Sequence, residues 1–163
     1  MPDDLYATDA LSWSMQQADL LRRLAAGERV NDVDWPHVIE EIESVGISEM
    51  RAVRSGLLQA MIHLLKLAGW PGCTAADHWR TEIATFLGEA ATDYRPSMRQ
   101  LLDLPDIYRR ALKSVRFARI DGAAPGALAA SCPIPLEELL GGSLAVDAWA
   151  ARLAAPQGTD HAE

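Results

Sequence analysis

From Trp35 to Ala68 apolar side chains recur every three or four residues without losing phase, and no other feature of the chain restricts its fold so tightly. The stripe takes in Trp35, Val38, Ile39, Ile42 and Val45 and continues through Met50, Val53, Leu57, Ala60, Met61 and Leu64. This spacing marks one face of an amphipathic helix. Asp34 stands where a helix N-cap would, and Pro36 falls in the first turn, where its missing N–H costs nothing. Gly46 interrupts the composition but not the phase. The pattern therefore predicts one long helix from about Trp35 to Ala68, the alternative being a break at Gly46 with Ser48 capping a second segment.

Helical spacing extends to nearly all of the chain, with no run of strand-like alternation. A first helix is expected from about Asp9 to Ala26, its stripe formed by Leu11, Ala18, Leu21 and Ala25 with Trp13, Leu20 and Leu24 beside it, and Gly27 as the stop. "GWPGC" (69–73) reads as a turn. Thr74 with Asp77 resembles a capping box that opens a third helix, which runs to about Ala91 with Trp79, Ile83, Phe86 and Leu87 inward. A fourth stretch runs from Pro96 to Ile120, kinked or split at Pro105. An irregular connector, a short "LEELL" helix and a tail complete the chain. The fold class expected is all-α, a helical bundle of about four to six helices in which the long second helix and the third form an antiparallel hairpin. One domain is expected over 1–150, with a frayed tail over 151–163.

At 163 residues the chain fits one such domain. No apolar run reaches the ~20 residues a membrane helix needs. The start, "MPDDLYATDA", has no basic segment leading into an apolar one, so it does not read as a signal peptide, and a cytoplasmic location with no membrane contact is expected. Cys73 and Cys132 are far apart and form no CxxC pair; free thiols are expected. The net charge of −8 works against nucleic acid. The exception is local: Arg109, Lys113 and Arg116 share a helix face at i, i+4 and i+7, as a phosphate-contacting helix would.

"EEIESVG" (40–46) places Glu40, Glu41 and Glu43 within one turn. Glu40 and Glu43 flank the apolar stripe from one side. Carboxylates near a helix N-terminus are favoured by its dipole, which accounts for them as a solvated face. Within one chain they cannot join His63 in one site, because a continuous helix separates Glu40 from His63 by roughly 35 Å; an antiparallel dimer that sets this helix against its copy is the exception. His63 has nearer company. The turn at 69–73 folds the third helix back, so His63 and Lys66 come level with Asp77, His78, Arg80 and Glu82. His63, Cys73, Asp77 and His78 have zinc-binding side chains but no zinc-site spacing, so no metal is expected. A His63, Lys66 and Arg80 cluster could instead hold an anion. There is no GxGxxG, Walker, GxSxG or HExxH pattern, and no cofactor is expected.

Taken together, "LYATDALSWSMQQADLLR", "DWPHVIEEIESVGISEMRAVRSGLLQAMIHLLKL", "WRTEI" and "CPIPLEELL" resemble the bacterial domain-of-unknown-function family numbered 29, over about residues 5 to 140. The resemblance implies an all-helical protein with no assigned activity. It gives weight to Glu40, Glu41, Glu43, Gly46, His63, Lys66, Trp79 and Arg80, which match the family pattern, and not to Cys73 or His78. The resemblance implies a basic residue, carried by many relatives, at the position of Leu58, which with the histidine would resemble the Arg-x4-His of helical HEPN-type ribonucleases. Here the nearest upstream arginine is Arg54, nine residues before His63.

The reading that follows is a small bacterial cytoplasmic protein without catalysis, acting as a protein-interaction module through helix faces, by self-association as a homodimer or with a protein partner. Its expected binding residues are Glu40, Glu43, His63, Lys66, Trp79 and Arg80. The alternative is a metal-independent RNA-processing enzyme or a phosphate/anion-binding protein. There His63 would act as general base, with Lys66 and Arg80 holding phosphate.

Overall fold

The computed structural model describes residues 5–155. Among these it contains seven α-helices and no strand: α1 (Leu5–Thr8), α2 (Ala10–Ala25), α3 (Trp35–Gly69), α4 (Ala76–Asp93), α5 (Leu104–Arg116), α6 (Leu136–Leu140) and α7 (Val146–Leu153), with a 3-10 turn over Pro96–Met98. The chain divides into two compact units, Met1–Ser48 and Glu49–Glu163. The backbone of α3 is helical through Gly46, so no turn breaks it.

The first unit is organised by one carboxylate. Asp34 Oδ2 accepts from Trp13 Nε1 at 3.1 Å and lies 2.7 Å from His37 Nδ1, while the Asp34 N–H donates to Gln17 Oε1 at 2.8 Å. These bonds fix how α2 is rotated. They turn Trp13, Gln17 and Leu20, spaced i, i+4 and i+7, into the small core that Val33 and Val38 complete. The stripe expected from Leu11 is corrected accordingly: Leu11 is 72% exposed. Asp9 rather than a hydrophobe opens α2, accepting from the Ser12 N–H at 3.0 Å. Tyr6 stacks on His37 with ring centroids 4.0 Å apart and donates to Glu41 at 2.8 Å, tying α1 to α3.

In the second unit α3 and α4 form an antiparallel hairpin. A Cβ at Gly56 would lie 3.2 Å from Ala90 Cβ and 3.0 Å from the Phe86 carbonyl oxygen, and further along α3 the His63 ring meets His78. Rising numbers on one helix thus meet falling numbers on the other. Val53, Leu57, Met61 and Leu64 pack with Ile83, Leu87 and Ala90 in the main core. Gly88 lies on the exposed side of α4, and a Cβ there meets nothing within 4 Å. Gly88→Ala should therefore stabilise the unit by about 0.5–1 kcal/mol, the helix-propensity difference alone. A urea titration checks this, and a lowered midpoint would contradict the open surface seen at Gly88.

Two local expectations are corrected, and one left between two alternatives is decided. Thr74 does not cap α4: the cap is Ala75 without a side-chain bond, because Asp77 turns to Arg80, Oδ1 to NH1 at 2.9 Å. The stretch from Pro96 to Ile120 is split rather than kinked, and the break falls over 99–103, ahead of Pro105. Asp103 accepts from the Asp106 N–H at 2.9 Å and starts α5 afresh, which places Pro105 in a first turn where it is harmless. The tail is not frayed from residue 151. Trp149 and Leu153 of α7 are wholly buried, and the C-terminal strandless segment is held by Ala129 N–H to Leu153 O and Ala155 N–H to Ala127 O. Residues 156–163 of that expectation lie outside the described residues.

The connector after α5 is more ordered than its composition suggests. Asp121 and Gly122 have φ of 51° and 79°, making a two-residue turn closed by reciprocal Ile120 and Ala123 hydrogen bonds. Ala123 O accepts from Trp70 Nε1 at 3.1 Å, which anchors this turn to the end of α3.

Candidate functional site

The histidine that sequence spacing singled out is set into the α3–α4 hairpin. His63 is partly buried, its ring 6.4 Å from that of His78 and 5.9 Å from that of Phe86. Its Nδ1 is buried with no hydrogen-bond partner. Burial, the nearby Lys66 ammonium and His78 together push its pKa down to about 4. At neutral pH it is an uncharged imidazole in a largely apolar setting. Lys66 Nζ sits 6.0 Å over the Trp79 ring, a cation–π distance, and Trp79 itself is buried. His63, Lys66 and Trp79 are therefore neighbours along the hairpin.

Arg80 is not brought to them. Residues two apart on a helix point about 200° apart, so when His78 faces His63 the side chain of Arg80 faces the other flank of α4. There its Nε and NH2 both donate to Asp147 Oδ1, at 3.0 and 2.9 Å, and NH1 to Asp77. The Asp147 bond is the main reason its guanidinium is held charged above its ordinary range. Arg80 thus anchors α7 to α4. The expected His63, Lys66 and Arg80 anion cluster loses its phosphate clamp by this placement.

The neutral state of His63 has a consequence for stability. The folded pKa lies below the unfolded one, so folding excludes a proton that the unfolded chain takes up below about pH 6.5. Stability should be full above that pH and fall as pH drops toward 4. The loss across the window is about 1–2 kcal/mol once solvent screening at a half-buried group is allowed for. Urea midpoints at pH 7.5 and 4.5 should converge in His63→Gln relative to the unsubstituted chain. An identical pH profile in both proteins would contradict the assignment.

Among the described residues no group of three or more His, Cys, Asp or Glu stands close enough to hold a metal ion. Cys73 and Cys132 are free thiols. Glu40, Glu41 and Glu43 are all exposed in the first unit, and Glu41 accepts from the Tyr6 hydroxyl and from Ser44 Oγ. The Tyr6 bond is the largest of the effects that push the Tyr6 hydroxyl up to about 12. On α5, Arg109, Arg110 and Arg54 all converge on Asp106. Burial alone would raise the Asp106 carboxyl, but these three guanidiniums hold it below the usual range. Lys113 and Arg116, on the same basic face, make no ion pair among the described residues.

The apolar stripe of α3 is not covered along its whole length. Val38 is buried, but Trp35, Ile39, Ile42 and Val45 are 50, 52, 68 and 61% exposed. They share the helical phase of Val53, Leu57, Ala60 and Leu64, all of which are buried. One continuous apolar face is thus covered over its second half and bare over its first. Glu43 borders the bare part and Glu40 lies a further 60° around the helix. Singly exposed apolar residues need no explanation, but a contiguous row over three turns does.

A family model described as "Domain of unknown function DUF29" matches residues 5–144. No curated protein matches the chain. Among solved structures, an alpha-helical protein of unknown function from Rhodospirillum rubrum ATCC 11170 is similar, with 30% identity, a TM-score of 0.71, and coverage of 92% of this chain and 98% of that one. No helix among the described residues is long and apolar enough to cross a membrane.

Proposed function

We propose, from the premise that this chain belongs to the DUF29 family, that it is a non-catalytic bacterial interaction protein that works in the cytoplasm. Its docking face is the bare apolar row of α3 in the first unit. The observation that carries this reading is the exposure of Trp35, Ile39, Ile42 and Val45 in phase with a buried stripe. A helix face of this kind is read by a partner helix that supplies its own apolar anchors at i, i+3, i+4 and i+7.

Charge selects among partners. Glu40 and Glu43 stand beside the row, neither of them in an ion pair among the described residues. A second copy would set these acids against their equals, which costs affinity. A basic amphipathic helix of another protein would meet them with complementary charge. The role first considered for a homodimer is therefore assigned to a heterologous partner.

The test compares the unsubstituted chain with Ile39→Asp/Ile42→Asp by sedimentation velocity and by affinity capture from the host. The expected result is a chain that is monomeric alone and retains a partner through a basic helical segment, with the partner lost in the variant while its circular dichroism is unchanged. A self-association that the variant abolishes would assign the face to a second copy and overturn the proposal. So would an unchanged set of captured proteins.

A further inference from the structure

Between α5 and the segment 130–135 lies a groove of about 870 Å³, within the range of roughly 300–1,000 Å³ typical of small-molecule sites. It lies wholly in the second unit and is independent of the α3 face. Its floor is apolar and built from buried side chains: Tyr108, Leu112 and Ile134 are 2, 5 and 1% exposed. The Tyr108 hydroxyl is already spent on the Ala129 carbonyl at 2.6 Å, so the ring presents only its apolar surface to the groove. Phe117, 79% exposed, forms a lip at one end.

One rim is cationic. Arg109, Lys113 and Arg116 line it, at about 40–100° around α5 from Leu112. Arg109 is engaged by Asp106, but Lys113 and Arg116 have no carboxylate partner among the described residues. Two cations without a carboxylate partner among the described residues, side by side at the edge of an apolar floor, suit an anionic head group. The facing wall carries Ser131 and Cys132, which are polar but uncharged.

We infer that this groove is a binding site for a single-chain amphiphilic anion, its apolar tail on Tyr108, Leu112 and Ile134 and its carboxylate or phosphate head between Lys113 and Arg116. The tail gains by leaving water, and the head gains two charge-assisted hydrogen bonds at a partly desolvated rim. The same head group could be presented by a dissolved amphiphile or by a lipid in a bilayer. A half-open groove with a buried floor accommodates the dissolved molecule, which can lay its tail along the floor.

The probes are decyl phosphate and decanoate below their micellar concentrations, with decanol as the neutral analogue. Binding is followed by calorimetry and by alkylation of Cys132 with iodoacetamide. Cys73, which does not line the groove, serves as the internal reference in the same digest. Both anions are expected to bind one to one and to slow alkylation of Cys132 at least about fivefold without protecting Cys73. Lys113→Gln/Arg116→Gln, on exposed positions, should weaken binding about tenfold or more. Ser131→Trp, which fills the groove from its rim, should abolish it. Equal affinity for decanol would overturn the inference, as would undiminished binding by the double variant. It would also be overturned if the protein ignored the dissolved probes and instead sedimented with phosphatidylglycerol vesicles or bound a Glu/Leu-rich peptide.

Discussion

Trp149→Ala should destabilise the second unit by about 3–5 kcal/mol, the cost of emptying a wholly buried aromatic site. The melting temperature should fall by on the order of 10 °C. The ring is one of the largest fully buried side chains in the described residues. Its removal also takes a donor from Glu138, whose Oε1 accepts from Trp149 Nε1 at 2.5 Å and from Arg152 NH1 at 2.7 Å. Those two donors, Arg152 first, hold the Glu138 carboxyl below its ordinary range. Trp149→Phe keeps most of the ring and loses only the N–H, so it should cost distinctly less. The order unsubstituted, Phe, Ala in thermal melts is the expected result. An alanine variant that melts with the unsubstituted chain would mean that α7 is not part of the core.

Gly56→Val should be nearly as damaging, for the opposite reason. At Gly56 the two helices of the hairpin approach closely: a Cβ would stand only 3.0 Å from the Phe86 carbonyl oxygen and 3.2 Å from Ala90 Cβ, so even one carbon asks the backbone to shift by a few tenths of an ångström. A backbone oxygen cannot rotate away as a side chain can. The two added methyl groups beyond Cβ must force α3 and α4 apart along Val53, Leu57, Ile83 and Leu87, the residues the core depends on. Overpacking of this kind costs about 1–3 kcal/mol and sometimes more. Loss of helical hydrogen-exchange protection in both α3 and α4 should accompany it. If Gly56→Val instead raised the urea midpoint, as helix propensity without the contact would allow, the close approach described here would be wrong.

The secondary structure of this chain was readable because helices leave a 3.6-residue period in their apolar residues, and α2, α3 and α4 all carry it. What periodicity cannot convey is whether a face has a partner. Trp35, Ile39, Ile42 and Val45 continue the same stripe as Val53 and Leu57, yet only the latter pair is covered. Rotation is equally hidden when polar groups set it. The Trp13 and Gln17 bonds to Asp34 turn Leu11 outward, although an apolar count favours it inward. The hairpin correctly put His63 level with the start of α4. Level alone did not place Arg80, because the two-residue step from His78 reverses its direction. The tail was misread because an alanine-rich segment bearing one tryptophan and one leucine shows little pattern, while its two large residues reach the core. The groove beside α5 needed the fold itself, since its walls are remote in sequence. Only its basic rim, Arg109, Lys113 and Arg116, was visible beforehand.

The claim on which the functional account rests is that the first half of α3 is a docking face for another protein. A photo-crosslinking amino acid placed at position 39, expressed in the host, tests this most directly, with position 19 on α2 as the control. The account predicts a discrete crosslinked product from position 39, absent from position 19, in which the attached peptide is a basic amphipathic segment of a different protein. A product consisting of two copies of this chain, or no product above that of the control position, would contradict it.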